Sequence, residues 1–237
     1  MRMRPLWPSA DPAMFFDWRV LAYDLEQYLD QNDLDQVIGI GHSMGATTTL
    51  RLALWQPRRF RSLVLIDPVI FPPVMSIAWD LAFRLRLAYR LHPLVKGALR
   101  RRTCFENKSA MFANYRKKEI FRRMDDECLS AYVDALACPD QEGQIKLCYP
   151  ADWEARIYVT AMRADLELWR QLPDLVPPVL FVRGSETDTF LANTAQMIHK
   201  RLKTAQIITI PCSTHLVALE KPDQVYQETI QFLSEGF

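Results

Sequence analysis

The stretch Val37-Ile38-Gly39-Ile40-Gly41-His42-Ser43-Met44-Gly45-Ala46 decides how this chain is read. A short apolar run, residues 37–40, leads into a G-x-S-x-G pentapeptide, and residues 46–56 after it have a helix-like composition. Strand, tight turn and helix in that order hold a serine on a strained corner with its hydroxyl exposed. Glycines two positions before and after the serine are expected to leave the room that such a turn needs. The pentapeptide alone recurs by chance. Its setting makes Ser43 a candidate nucleophile.

Three more apolar runs lie downstream, and each ends beside a residue that a nucleophilic serine requires. Residues 62–66 run into Asp67-Pro68; residues 179–182 run into Arg183-Gly184-Ser185-Glu186-Thr187-Asp188; residues 206–210 precede Pro211-Cys212-Ser213-Thr214-His215. A hydroxyl attacks only when a base takes its proton, an imidazole does this near neutral pH, and a carboxylate behind the imidazole fixes its tautomer. Among the four histidines, His42 adjoins the serine and should leave the turn in another direction. His92 precedes Pro93, and His199 lies in a Lys/Arg-flanked helix over residues 191–202. His215 alone follows a strand, which makes it the candidate base. Asp188, Asp67 and Glu186 are the carboxylates in range. Cys212 has neither an elbow nor a base and is no candidate.

From about residue 16 to the C-terminus the sequence resembles the α/β-hydrolase superfamily, most specifically at residues 37–45, 63–68, 180–188 and 215–222. The resemblance implies a mostly parallel sheet with flanking helices and an inserted helical cap, working without cofactor or metal. It favours Asp188 as the triad acid, in the loop after the third readable strand, with Asp67 as the position that some members use instead. It also implies that the backbone N–H of Met44 donates to the oxyanion. Aspartate replaces the serine in the haloalkane-dehalogenase relatives, so Ser43 argues against that chemistry.

Only 36 residues precede Val37, whereas family members carry several strands before the nucleophile strand. Met1 to Pro12 reads as a proline-punctuated loop and is followed by one helix. Asp11 is the expected cap, and Met14, Trp18, Leu21, Leu25 and Tyr28 form its core face. The N-terminal part of the sheet is therefore expected to be missing, leaving residues 37–40 as an apolar edge. A start site upstream of Met1 or a shortened product would each account for this.

The expected organisation is a hydrolase core over residues 1–69 and 176–237, with a helical cap over 70–175. Helices are expected at 77–91, 121–136, 153–172 and 223–233. Between Arg84 and Arg123 there are 13 Lys or Arg against two Glu, a local charge of +11 in a chain of net +1. A solvated helix face is the plain reading of that charge. Weak contact with an anionic membrane surface through residues 77–91 and Trp79 is the functional one. No nucleic-acid motif accompanies it.

Hydrophobic content of 49% suits one sizeable core, and no apolar stretch is long enough to span a bilayer. A basic start followed by Pro5 and Pro8 is not a signal-peptide pattern. Five cysteines without C-x-x-C spacing suggest neither a disulfide framework nor a zinc site, which favours a reducing, cytoplasmic setting. The function expected is hydrolysis of a small carboxylic ester or related acyl substrate. The alternative is a catalytically silent hydrolase-like protein that binds a small ligand or a protein partner.

Overall fold

The computed structural model describes residues 3–235. Two 3-10 turns, Arg4–Leu6 and Pro12–Met14, precede α1 (Arg19–Gln31), β1 (Val37–His42), α2 (Met44–Trp55) and β2 (Phe60–Ile66). A long excursion then carries α3 (Pro73–Arg84), α4 (Ala88–Leu91), α5 (Pro93–Arg100), β3 (Cys104–Phe105), α6 (Lys108–Arg116) and α7 (Asp126–Leu136). It ends with β4 (Ala137–Pro139), β5 (Ile145–Leu147), α8 (Ala151–Thr160) and α9 (Asp165–Gln171). The chain returns through β6 (Val179–Gly184), α10 (Ala192–Arg201), β7 (Gln206–Ile210), α11 (Val217–Glu220) and α12 (Pro222–Ser234).

β1, β2, β6 and β7 form one parallel sheet in that spatial order. Alternation along β2 and β6 builds two layers. Leu63, Leu65, Val179 and Phe181 face α1, α2 and α10, whereas Val64, Ile66, Leu180 and Val182 face α12. Burying each such side chain contributes about 1.5–3 kcal/mol relative to exposure. β1 is an edge. Its inward-facing Val37 packs on the first layer, but Ile38 and Ile40 are 45% and 54% exposed because α12 does not extend over them.

Several sequence expectations need correction. Asp11 caps the 3-10 turn Pro12–Met14, not the long helix, which starts only at Arg19; Met14 is therefore exposed and not part of a core face. The helix expected over 77–91 breaks where Arg86 takes a φ of 60°, and that over 153–172 breaks at Ala164, φ 65°. α7 starts later than expected, at a cap where Asp125 accepts from the Cys128 amide. A small antiparallel sheet, β3-β5-β4, was not legible in such short strands. Cys138, within β4, is disulfide-bonded to Cys148, just after β5, with Cα atoms 5.2 Å apart. With that pair bridged, cysteine usage no longer favours a reducing compartment. Among the described residues no helix is long and apolar enough to cross a membrane.

Candidate active site

Three neighbouring strand ends place the site. The ladder continues one residue past each strand: the Ser43 amide donates to the Ile66 carbonyl at 2.9 Å, and the Asp67 amide to the Val182 carbonyl at 2.6 Å. Both residues sit at positive φ, 56° for Ser43 and 40° for Asp67, a cost that non-glycine residues bear where surrounding structure fixes them. Gly41 makes the elbow possible. A Cβ there would lie 2.6 Å from the Gly45 carbonyl carbon, whereas a Cβ on Gly45 would meet nothing within 4 Å. The expectation that both glycines clear space thus holds for one of them.

Ser43 Oγ lies 2.7 Å from His215 Nε2, and His215 Nδ1 lies 2.9 Å from Asp67 Oδ1. The carboxylate that meets the histidine is Asp67, not Asp188. Asp188 is exposed on the loop after β6, and the chain instead turns Thr187 and Thr189 inward beside it. Asp67 is fully buried, as befits an acceptor that four donors surround: Gly184 N and the Thr187, Thr189 and His215 groups. Thr189 Oγ1 also lies 2.7 Å from His215 Nδ1, so it donates to Asp67 and shares the imidazole proton. Glu186, the third carboxylate in range, is exposed and pairs with Arg123 at 2.6 Å.

The other histidines take different places. His42 Nε2 donates to the His215 carbonyl at 2.8 Å, and the two rings lie 5.0 Å apart. Burial and the neighbouring His215 hold the His42 pKa below its ordinary 6.5. His92 caps α5, and His199 is exposed on α10. Glu220 is buried and accepts from Thr214 N and Oγ1 at 2.7 and 2.8 Å, bracing the turn that carries His215. Thr187, Thr189 and Glu220 gave no sequence signal of a site role; only their neighbours Asp188 and His215 marked the loops.

Met44 opens α2, so its amide belongs to the first turn, where N–H groups lack intrahelical acceptors. Its side chain packs beside Phe71 and Tyr149 against the cluster that holds Trp153, and Leu216 and Leu219 pack against Phe121 and Met124. The excursion between β2 and β6 thus abuts both the residue after Ser43 and the turn that carries His215. No cluster of three metal-ligating side chains occurs among the described residues.

A parallel α/β sheet with a serine, histidine and aspartate joined at its carboxyl edge defines the hydrolase class of this fold. A model of the alpha/beta hydrolase family matches residues 4–228, and the chain belongs to that family. A protein of Synechocystis sp. named as a candidate non-heme chloroperoxidase is 25% identical over 229 residues, spanning 95% of this chain and 76% of that protein. Ethanol acetyltransferase 1 of Hanseniaspora uvarum is 24% identical, spanning 91% of this chain but 65% of its own length. Among solved structures, E-2-(acetamidomethylene)succinate hydrolase superposes with a TM-score of 0.73 at 19% identity, covering 92% of this chain and 74% of that one. Membership of this family supports an enzyme of the hydrolase type.

Proposed function

We propose that the chain is a serine hydrolase that cleaves a small carboxylic ester or related acyl compound. The observation that carries this reading is the continuous path from Ser43 Oγ through His215 to Asp67, at 2.7 and 2.9 Å. His215 Nε2 accepts the serine proton as Oγ bonds to the acyl carbon, then returns it to the departing alkoxide. Water repeats the sequence on the acyl-enzyme and releases the acid. Asp67 holds the proton on Nδ1 and stabilises the imidazolium. The Met44 amide donates to the oxyanion at the positive end of α2. Residues 70–175 act as the cap that shapes the acyl-binding space, a role supported by their packing on Met44 and Leu216.

The test is labelling of the purified chain with a fluorophosphonate beside its Ser43→Ala variant, followed by hydrolysis of short-chain esters. Labelling and turnover that both vanish in the variant are expected. A folded chain that resists labelling at every pH tried would overturn the reading in favour of a binding protein. A second acceptor also fits the same acyl-enzyme. Two relatives carry acetyltransferase names, one 24% identical across most of the chain and one 37% identical over 60 residues. Adding ethanol to the ester assay and measuring transester product against free acid separates the two acceptors.

A further inference from the structure

α3, α4 and α5 have apolar side chains on two opposite faces. Inward, Trp79, Phe83, Ala88, Val95 and Ala98 pack with Ala155 and Val159 of α8, and the Trp79 indole N–H donates to the Val159 carbonyl at 2.9 Å. Trp79 is thus an internal anchor and not the interfacial residue that the sequence suggested. Outward, Val74, Ile77, Leu81 and Leu85 recur at helical spacing and are 56–71% exposed. Leu91 and Leu94, further along the segment, are exposed at 59% and 51%. Ten of the 21 large apolar side chains exposed among the described residues fall between Val74 and Leu99. Exposed apolar residues scattered singly need no explanation, but a contiguous field of them marks a contact surface.

The same segment is cationic. Residues 73–102 carry seven Lys or Arg against Asp80 alone. Arg84 is occupied by Asp80, but Arg86, Arg90, Lys96 and Arg100 have no ion pair among the described residues. A shallow groove of about 380 Å³ brings Arg90, Lys96 and Arg100 together beside Tyr89 and Leu99. A merely solvated helix face would expose the charges and bury the leucines; here both are exposed on the same helices. Leucines are no use against a phosphodiester backbone, whereas a bilayer surface offers acyl chains below a layer of anionic headgroups.

We infer that α3–α5 dock on the surface of an anionic phospholipid bilayer, with Ile77, Leu81 and Leu85 entering the acyl boundary and Arg90, Lys96 and Arg100 gathering lipid phosphates. The surface is independent of the serine site. Ser43→Ala therefore binds membranes as the unaltered chain does, and failure of one reading leaves the other standing.

The experiment is co-sedimentation of the full chain with vesicles of phosphatidylcholine alone and of equal parts phosphatidylcholine and phosphatidylglycerol, at low and high salt. Binding to the anionic vesicles, weakened by salt, is expected. Arg90→Glu/Lys96→Glu/Arg100→Glu should weaken it by about a hundredfold or more, near the worth of three interfacial cations. Leu81→Glu/Leu85→Glu should abolish it, while Lys117→Glu/Arg122→Glu, elsewhere on the basic segment, should leave it within a few-fold. Circular dichroism checks each variant's fold, and the salt dependence of the unaltered chain stands as a test if a variant misfolds. Absence of binding to anionic vesicles at low salt overturns the inference, as does equal binding to both compositions. So does a dimer in light scattering that Leu81→Glu/Leu85→Glu dissociates without any vesicle binding, since the face would then belong to a second copy.

Discussion

At the scale of single residues, the sharpest consequence concerns the two aspartates. Asp67 is buried against the His215 ring and Asp188 is exposed, so the proposed mechanism gives the imidazole partner's role to Asp67. Asp67→Asn is expected to slow fluorophosphonate acylation by about 10⁴, and Asp188→Asn to change it less than threefold or so; stopped-time labelling reads both. Sequence position alone pointed the other way. The sequence marks the loops that the structure brings together but does not say which carboxylate turns inward, because that depends on the hydrogen bonds that Thr187 and Thr189 give to Asp67. A second consequence is electrostatic. The folded chain holds His42 below its ordinary pKa of 6.5, so between the two values the unfolded chain binds the extra proton. His42 therefore contributes stability that is complete above about pH 6.5 and is lost as pH falls through its folded value. Urea midpoints from about pH 5 to 7.5 should fall on the acid side, and His42→Gln, which keeps an N–H for the His215 carbonyl, should flatten that slope.

Elements impose their own limits. The elbow works because β1 and α2 meet at Gly41, where a Cβ would strike the backbone of Gly45 and Ala46 at 2.6–2.7 Å. Gly41→Ala should displace Ser43 and abolish labelling. Gly45→Ala meets open space at the start of a helix and should raise thermal stability by up to about 1 kcal/mol. Comparing melting temperatures and labelling of the two variants checks the asymmetry; a damaging Gly45→Ala would contradict it. The four parallel strands were legible as β-branched apolar runs bounded by turn residues, and α10 and α12 as periodic segments. The helices of the excursion were legible as material but not as pieces. Their breaks at Arg86 and Ala164 are left-handed positions taken by residues with no turn preference, so local sequence does not signal them. The same holds for β3, β4 and β5, two or three residues each.

Across the whole molecule, β1 leads into Ser43 and is also an edge of the sheet among the described residues, with Ile38 and Ile40 open to solvent. Such an edge is a template for strand pairing between copies. The unaltered chain should therefore scatter more light as concentration rises, and Ile40→Lys should suppress that rise and leave labelling intact; no rise in the unaltered chain, or an equal one in the variant, would contradict a role for this edge. The excursion through residues 67–178 has a consequence in time as well as in space. β1 pairs with β2 and β6 with β7 over modest separations, but β2 meets β6 only after that long loop has closed. Ser43 and Asp67 belong to the first half-sheet and His215 to the second. Loop closure over such a span slows the last pairing, so a refolding chain should regain most of its helical signal before its serine becomes reactive, and chemical competence becomes a clock for the final step of folding.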